Sequence, residues 1–335
     1  MGKISNVYIC VVPYHLYLSL LLINDKKDNA YILLNANNET VYKQFIDIAP
    51  KLKKAGYSLD TRLRNKTKDI VGLESGISKK QFEKVFQGDK NPVFDLYNFA
   101  WNLQYVYSTA DLFYKKCRKA YFVEEGALTP INPPQPGWKV LIKKLTGAPV
   151  DFYKDKKVEG IYVQKPDIYP ASWKSKLKTL DVKKLLTELK DDIKETILDI
   201  FVGNIREYLK GADSDVGIIY TQPLSEDGYI TEDTKKDYFR QMAEYYGEGR
   251  LVFFKIHPRD LSNYVLPSNC TILPGYFPSE LLNLLNIRFK FAVGVCTSAV
   301  PTTDAEIKLN INENFLHDQK FDLIPINQVQ EGERK

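Results

Sequence analysis

The chain has 335 residues, 44% of them hydrophobic, so it can bury a large core and is long enough for two domains. Its net charge of +5 is a mild basic excess without an RNA-binding or helix-turn-helix signature, so no nucleic-acid partner is expected. The four cysteines are scattered, with no CxxC pair and no metal-ligand spacing, so we expect a reducing cytoplasmic setting and no metal site.

The first half of the chain alternates apolar runs with amphipathic segments, which predicts a parallel sheet covered by helices. The apolar stretch 7–23 is interrupted by Pro13 and is followed by no small-residue cleavage site. It therefore predicts a strand and a helix rather than a signal peptide or a membrane anchor. The predicted strands are 7–12, 30–34 and 120–123, and the predicted helices are 15–23, 39–55 and 98–116.

A lysine-rich stretch with prolines, 138–190, predicts the crossing between two domains, and apolar periodicity over 180–209 predicts helix. The second half then alternates again. Its predicted strands are 216–220, 251–256, 271–273 and 289–295, and its predicted helices are 231–246 and 279–285.

These elements predict an α/β protein of two Rossmann-like domains with a cleft between them. We assign 1–155 to an N-terminal domain, 156–210 to a linker with helices, 211–320 to a C-terminal domain and 321–335 to a tail.

The segment 138–145 places Trp138, Leu141, Ile142 and Leu145 on one helical face beside lysines. Such a face is typical of a helix at a membrane surface, and also of a core-facing helix whose lysines extend to solvent. We expect the core-facing helix and keep peripheral membrane contact as the alternative.

Four polar loops follow predicted strands, and the carboxyl ends of parallel strands are where α/β folds bind ligands. We expect these loops to open into one cleft. They are Glu124-Glu125-Gly126, the segment from Thr221 to Gly228, the segment from Lys255 to Asp260, and the segment from Gly294 to Ala299.

His257 lies at a predicted strand end, is followed by Pro258 and is flanked by Lys255 and Arg259. A histidine beside two cations suits a phosphate or another anionic leaving group. The alternative is a His-Pro turn with solvated charges.

Thr297 and Ser298 follow the last predicted strand. Hydroxyls and backbone N–H groups at such a junction can hold a phosphate, or can simply cap the next helix. No base is assigned to the preceding Cys296, so a buried cysteine is expected there.

Two acidic pairs, each followed by glycine, come directly after predicted strands or close to them. They are Glu124-Glu125 in the first half and Glu226-Asp227 in the second. Paired carboxylates raise each other's pKa and can provide a general base, whereas the alternative for both pairs is an acidic surface turn.

Two further positions are weaker candidates. Glu280 follows Gly275 and lies in the first turn of a predicted helix, where it can stabilise the helix dipole or accept hydrogen bonds from a ribose. His15 follows the first strand and can line the cleft, although a capping or core histidine is expected.

Taken together, the motifs resemble those of the bacterial sialyltransferases, most closely glycosyltransferase family 52, the lipooligosaccharide and capsule sialyltransferases. Related motifs occur in the bacterial polysialyltransferases. The family pattern is an acid-acid-Gly motif, a His-Pro motif and a Ser/Thr pair, matched in this order by Glu124-Glu125-Gly126, His257-Pro258 and Thr297-Ser298. The blocks 12–15, 221–228 and 255–260 also resemble family 52.

The resemblance implies a GT-B fold and an inverting, metal-independent transfer of sialic acid from CMP-sialic acid to a galactose-terminated glycan. An α2,3 linkage and a role in capsule or lipooligosaccharide synthesis are expected, with no cofactor beyond the donor substrate. In this scheme His257 donates a proton or a hydrogen bond to the departing phosphate, Thr297 and Ser298 hold its other oxygens, and Glu280 binds the ribose. The remaining residues expected around the donor are Gln222, Lys255, Pro258, Arg259 and Gly275.

The acceptor hydroxyl needs a base on the opposite face of the donor. We expect the N-terminal domain to supply it, which favours Glu124 or Glu125. The pair Glu226 and Asp227 is the alternative, because Asp227 is closer in sequence to His257 and also follows a strand.

Three other functions stay open beside this one. They are a GT-B transferase for another nucleotide sugar, a polysialyltransferase, and a nucleotide- or glycan-binding protein without turnover. We expect a cytoplasmic location, with peripheral contact at the inner membrane face and a homodimer as open alternatives.

Overall fold

The computed structural model describes residues 3–63, 73–99, 109–124, 137–146, 150–203, 215–273, 275–285 and 287–311. The chain divides into two compact units, Met1–Ile200 and Phe201–Lys335. Each unit contains one sheet whose described strands are all parallel.

The sheet of the first unit has the order β3-β2-β1-β4-β5-β6-β7. Its strands are β1 Asn6–Cys10, β2 Ala30–Ala36, β3 Ser58–Leu63, β4 Asp95–Asn98, β5 Lys119–Val123, β6 Val158–Val163 and β7 Leu177–Thr179. The α-helices that the structure describes up to residue 201 are α1 Pro13–Ile23, α2 Glu39–Lys54, α3 Leu73–Val85, α4 Thr109–Lys116, α5 Gly137–Thr146, α6 Val182–Glu188 and α7 Asp191–Phe201.

Local sequence explains how the first helices begin. Pro13 stands at the start of α1, where its missing N–H would have no partner inside the helix. Most residues of α1 are buried, which explains why its apolar side chains are not confined to one face. In α2, the side chain of Asn38 accepts the N–H of Val41 at 2.9 Å and so caps the helix.

An aromatic cluster closes the core of the first unit near β6. Trp173 is 3% exposed and stacks on Tyr153, with ring centroids 5.1 Å apart. Its ring also lies 5.3 Å from that of Phe152 and 5.8 Å from that of Tyr169. These contacts fix the segment between β6 and β7 against the sheet.

The sheet of the second unit has the order β10-β9-β8-β11-β12. Its strands are β8 Val216–Tyr220, β9 Leu251–Lys255, β10 Cys270–Leu273, β11 Phe289–Val295 and β12 Ala305–Ile311. Helix α8 spans Glu232–Tyr246, a 3-10 helix spans Ser279–Leu285, and α9 spans Ala299–Thr302.

Close packing in this second sheet leaves no room for a side chain at Gly217. A Cβ at this position would lie 1.9 Å from the ring of Phe291 on the neighbouring strand. Glycine in the first strand of the unit therefore lets a large aromatic ring pack across the sheet face.

In both units the order of the first five strands is 3-2-1-4-5, counted from each unit's own first strand. This is the Rossmann order, in which the sheet grows outward from its first strand in one direction and then in the other. The expected α/β fold class with two Rossmann-like domains, the make-up of a GT-B protein, is therefore confirmed.

Several element boundaries differ from the expectations. A helix was predicted over 98–116, but Asn98 ends β4. Residues 100–108 lie outside the described residues, and Thr109–Lys116 is helical as expected. Tyr97 of β4 stacks on Tyr8 at 4.5 Å and on Tyr121 at 4.8 Å, so cross-strand aromatic packing stabilises the strand that ends at Asn98. The strands β3, β4 and β12 were not anticipated, and the predicted helix 279–285 is a 3-10 helix.

The segment 156–210, for which we expected a linker with helices, also contributes two strands to the first sheet. Strand β6 pairs with β5, and β7 pairs with β6 at the edge. Lys178 and Thr179 of β7 are exposed, and a charged residue on a short edge strand discourages pairing with another chain.

The expectation of a core-facing helix over 138–145 is wrong for two of its leucines. Leu141 is 58% exposed and Leu145 is 78% exposed, whereas Lys143 is buried. The lysine, not the two leucines, therefore points inward. Among the described residues, the structure contains no helix long and apolar enough to cross a membrane.

Candidate functional site

The candidate site lies at the carboxyl edge of the second sheet. Here the strand order reverses between β8 and β11, and this reversal is where open α/β sheets bind ligands. The loops after β8, β9, β10 and β11 contain most of the residues that the sequence singled out.

Thr221 joins the loop after β8 to the loop after β9. Its backbone N–H donates to the carbonyl of Lys255 at 3.0 Å, and its hydroxyl accepts the backbone N–H of His257 at 2.9 Å. Because Thr221 is only 2% exposed, these bonds are shielded from water and fix where His257 leaves the sheet.

The imidazole of His257 is oriented by the residue two positions further on. Its Nδ1 accepts the backbone N–H of Arg259 at 3.1 Å, so the proton of the neutral ring is on Nε2. Burial, followed by the charges of Arg259 and Lys255, lowers the pKa of His257 to about 4. At neutral pH the ring is therefore an uncharged hydrogen-bond donor through Nε2–H.

Lys255 is 5% exposed and lies under this loop. Its Nζ donates to the carbonyls of Ile256 at 2.9 Å and Gly275 at 3.3 Å. Burial lowers the pKa of Lys255 to about 7, and the nearby carboxylate of Glu280 opposes that shift.

Gly275 allows the loops after β9 and β10 to touch. A Cβ here would lie 3.3 Å from the carbonyl oxygen of His257 and 3.3 Å from the Cα of Pro258. Glu280, half-buried in the first turn of the 3-10 helix, interacts electrostatically with Lys255 and Tyr220. The structure thus brings Lys255, Gly275 and Glu280 to the same edge as His257.

The two hydroxyls after β11 have different surroundings. Asn310 of β12 accepts the N–H of Thr297 and donates to its carbonyl, both at 3.0 Å, and the hydroxyl of the buried Thr297 accepts the N–H of Ala299 at 3.2 Å. Ser298 is exposed at the start of α9 and makes no side-chain capping bond. Thr297 therefore fixes the turn, while Ser298 presents a hydroxyl at the surface.

Cys296 is exposed, so the expectation of a buried cysteine is wrong at this position. Its φ of 45° places it in the left-handed region, because the chain turns sharply from β11 into α9. The neighbouring Gly294 has no space for a side chain, since a Cβ would lie 2.6 Å from Cγ2 of Thr297.

The second acid-acid-Gly motif forms ion pairs. Both oxygens of Asp227 accept hydrogen bonds from the guanidinium of Arg259, at 2.7 and 2.9 Å. Glu226 accepts Nζ of Lys235 at 2.6 and 2.8 Å and the N–H of Leu261 at 2.8 Å. Burial raises the pKa of Glu226, but the bonds from Lys235 and Leu261 outweigh it and lower the value to about 2.

Two further residues expected around the donor lie on these loops. Gln222 is half-buried, and its backbone carbonyl accepts the N–H of Leu224 at 2.8 Å. Pro258 is exposed beside His257.

In the first unit, Glu124 is buried at the end of β5, with 3% of its surface exposed. Its backbone N–H donates to the carbonyl of Tyr162, and its carboxylate accepts the backbone N–H of Gln164. Burial raises the pKa of Glu124, opposed by Gln164, Lys165 and the Tyr169 hydroxyl. Glu125 and Gly126 lie outside the described residues, so the role of Glu125 stays a prediction.

His15 has the core role, one of the two roles that were expected. It is fully buried, its Nδ1 accepts the N–H of Val11 at 3.3 Å, and its ring stacks on Phe99 with centroids 5.0 Å apart. Burial lowers its pKa to about 3.

Three residues that organise the site were not predicted from the sequence. They are Lys235, Asn310 and Asp260 in its role as the charged partner of Lys235. Lys235 carried a signal, since it stands three and four residues before the buried Tyr238 and Phe239 on the apolar stripe of α8. A charged residue on such a stripe predicts a buried ionic partner. Asn310, in an unanticipated strand, carried no comparable signal.

Among the described residues, no group of three or more histidine, cysteine, aspartate or glutamate side chains is arranged to hold a metal ion.

The chain is similar to known proteins at the levels of family, sequence and fold. Residues 143–308 match the model of Glycosyltransferase family 52. An uncharacterised protein of Haemophilus influenzae is 29% identical over 198 residues, which are 56% of this chain. The match spans 60% of the length of that relative.

Two solved structures are similar with lower identity. The UDP-GlcNAc 2-epimerase from Neisseria meningitidis bound to UDP-GlcNAc is 13% identical with a TM-score of 0.46, over 89% of this chain and 79% of that one. The UDP-GlcNAc 2-epimerase from Methanocaldococcus jannaschii is 14% identical with a TM-score of 0.45, over 90% and 80%.

The family match contains the His-Pro motif, Glu280 and the Thr297-Ser298 pair, whose surroundings are described above. The resemblance to glycosyltransferase family 52 is therefore confirmed over residues 143–308.

Proposed function

We propose that the protein is a glycosyltransferase that moves sialic acid from CMP-sialic acid to a galactose-terminated glycan, with inversion and without a metal ion. The family match over residues 143–308 supports glycosyl transfer and, within that class, sialyl transfer without specifying the donor or the linkage. The observation that carries the proposal is the imidazole of His257, held with Nε2 protonated at the edge of a Rossmann-like sheet.

In the proposed reaction the bond between the anomeric carbon of sialic acid and the phosphate oxygen of CMP breaks. Negative charge builds on the phosphate as it leaves, and Nε2–H of His257 donates a hydrogen bond to it. The phosphate itself raises the pKa of the imidazole when it binds, because an anion stabilises the charged ring. The neutral ring keeps its proton and stabilises the departing CMP through this hydrogen bond, and CMP leaves as an anion.

The exposed hydroxyl of Ser298 and the backbone around Thr297 hold other phosphate oxygens, and Glu280 binds the ribose. The same interactions also fit the nucleotide of another donor, so the choice of CMP rests on the family match.

The acceptor hydroxyl attacks the opposite face of the anomeric carbon and loses its proton to a carboxylate. We assign this role to Glu125. Glu124 already accepts a backbone N–H and is buried, and Asp227 is held by Arg259, so both are less suited to receive the proton.

The direct test is thermal unfolding with CMP, UDP or GDP, followed by product analysis with CMP-sialic acid and lactose-type acceptors. We expect CMP alone to raise the unfolding temperature and a sialylated lactoside to form. Stabilisation by UDP or GDP instead would favour a transferase for another nucleotide sugar. Nucleotide binding without any transfer would favour a binding protein.

We also propose that α5 makes peripheral contact with anionic membranes. The supporting observation is the exposure of Leu141 and Leu145, one turn apart, beside the exposed Lys144. Sedimentation with vesicles that contain anionic phospholipid tests this. Equal binding by wild type and by the Leu141→Ser/Leu145→Ser variant would refute it.

A further inference from the structure

The residues after the His-Pro motif are tied to the loop after β8 by two parallel ionic bridges. In the first, Arg259 pairs with Asp227 through both terminal nitrogens. In the second, Nζ of Lys235 lies between Glu226, at 2.6 Å, and Asp260, at 2.9 Å. The consecutive acids 226 and 227 thus hold the consecutive residues 260 and 259.

The bridge through Lys235 is built into the core of the loop. The side chains of Lys235 and Asp260 are fully buried. Asp260 also accepts the N–H of Ser262 at 3.1 Å and the hydroxyl of Tyr264 at 2.6 Å. A buried charge that is paired and hydrogen-bonded in this way defines one geometry, because any displacement leaves a charge without its partner.

The backbone of the same residues contacts His257 directly. The N–H of Arg259 donates to Nδ1 of the imidazole, and the N–H of Asp260 donates to the carbonyl of His257 at 2.9 Å. Each ionic bridge therefore fixes a backbone N–H that in turn fixes His257.

We propose that the second acid-acid-Gly motif, Glu226-Asp227-Gly228, is a clamp that positions His257 and keeps its proton on Nε2. Asp227 and Arg259 are then positioning residues, and so are Glu226, Lys235 and Asp260. None of them needs to touch the substrate. The consequence for transfer rests on the proposed function of His257, whereas the orientation of the imidazole is a property of the protein alone.

The bridge between Asp227 and Arg259 is the one to test, because their side chains are 32% and 59% exposed and tolerate replacement. The variants are Asp227→Arg, Arg259→Asp and the double exchange, which restores an ion pair with its charges reversed. The matched control is the exposed pair Asp215 and Arg250, which joins the starts of β8 and β9 at the opposite edge of the sheet. It is exchanged in the same way.

The first readout is ¹⁵N–¹H NMR of the histidine rings, with the His257 signals assigned by their absence in His257→Gln. The second is kcat and KM for sialyl transfer. Thermal unfolding verifies that each variant is folded.

We expect each single variant to move the His257 signals from one Nε2–H tautomer toward exchange between both tautomers. We also expect kcat to fall at least about 10-fold, with KM changing less than about 3-fold, because a mispositioned donor weakens the transition state more than the ground state. The double exchange should recover the tautomer and most of kcat, and the control variants should change neither.

Two results would overturn the clamp. One is an unchanged His257 tautomer in both single variants. The other is loss of CMP binding in Arg259→Asp that the double exchange does not restore, since Arg259 would then bind phosphate directly. If the wild-type protein transfers no sialic acid, the proposed function fails, and the NMR readout alone still decides whether the clamp exists.

Discussion

The hydroxyl of Thr221 accepts the backbone N–H of His257 at 2.9 Å, so the residue that directly follows β8 sets the position of the histidine that follows β9. Replacing Thr221 with Val keeps the shape and removes the acceptor. The shielded N–H of His257 then loses its partner, which costs about 1–3 kcal/mol of unfolding free energy. We expect Thr221→Ser to stay close to wild type in chemical denaturation, and equal stabilities for the Val and Ser variants would contradict this role.

His257 can be replaced by two amides that each keep one half of the imidazole. In His257→Asn the side-chain oxygen can replace Nδ1 as acceptor for Arg259, but no donor reaches the position of Nε2. In His257→Gln the amide nitrogen can approach that donor position. We expect kcat for sialyl transfer to fall at least about 10²-fold in the Asn variant and less in the Gln variant. Near wild-type activity of His257→Asn would exclude the leaving-group role.

The proposed base is tested by Glu125→Gln and Asp227→Asn. Loss of the base should lower kcat by at least about 10²-fold. We expect this in the Glu125 variant. The kcat of the Asp227 variant should fall less, because the side-chain oxygen of Asn can still accept a hydrogen bond from Arg259. A larger loss in Asp227→Asn would move the base to the second unit, and an unchanged rate in both would remove the assignment.

Lys235→Met leaves Glu226 and Asp260 without their shared cation. Breaking a buried ionic arrangement by removing one partner costs about 3–5 kcal/mol, so the variant should unfold at much lower denaturant concentration. The neighbouring Lys236 pairs with Glu232 at the surface and serves as the control. Lys236→Met should have no measurable effect, because such pairs contribute little.

The buried His15 should make the stability of the folded protein sensitive to acid. Burial lowers its folded-state pKa to about 3, below the ordinary value of 6.5, so between these pH values the unfolded chain binds more protons. The contribution of His15 to the free energy of unfolding is therefore complete above pH 6.5 and falls as the pH drops toward 3, by on the order of 5 kcal/mol in total. His15→Asn keeps an acceptor for Val11 and does not titrate. We expect the free energy of unfolding of His15→Asn, measured in urea, to fall less between pH 7 and pH 4 than that of the wild type. An identical pH dependence in both proteins would contradict this.

The sequence predicted the second unit well because its strands are short, apolar and bounded by polar loops. Strands β8 and β11 begin and end at the expected residues. In the first unit β4 has only four residues, and its alternating burial cannot be distinguished from a helical pattern over so short a run.

At the site, the sequence motifs correctly predict that His257, Glu280 and Thr297 lie at one sheet edge. The role of Asp227 could not be predicted in the same way. Its partner Arg259 is 32 residues away, and a pairing at that distance depends on the adjacency of β8 and β9, which periodicity does not reveal. The left-handed turn at Cys296 likewise depends on the path of the chain from β11 into α9.

The buried packing of Trp173 against Tyr169 gives the protein an intrinsic optical probe. The Tyr169 hydroxyl interacts with Glu124 at the end of β5, so a ligand that reaches this acidic edge changes the electric field near the indole. The three tryptophans are Trp101, Trp138 and Trp173, and all of them belong to the first unit. With Trp101 and Trp138 replaced by Phe, the emission of Trp173 would report the proposed acceptor binding on that unit without a label, while the proposed nucleotide binding in the tryptophan-free second unit is followed separately.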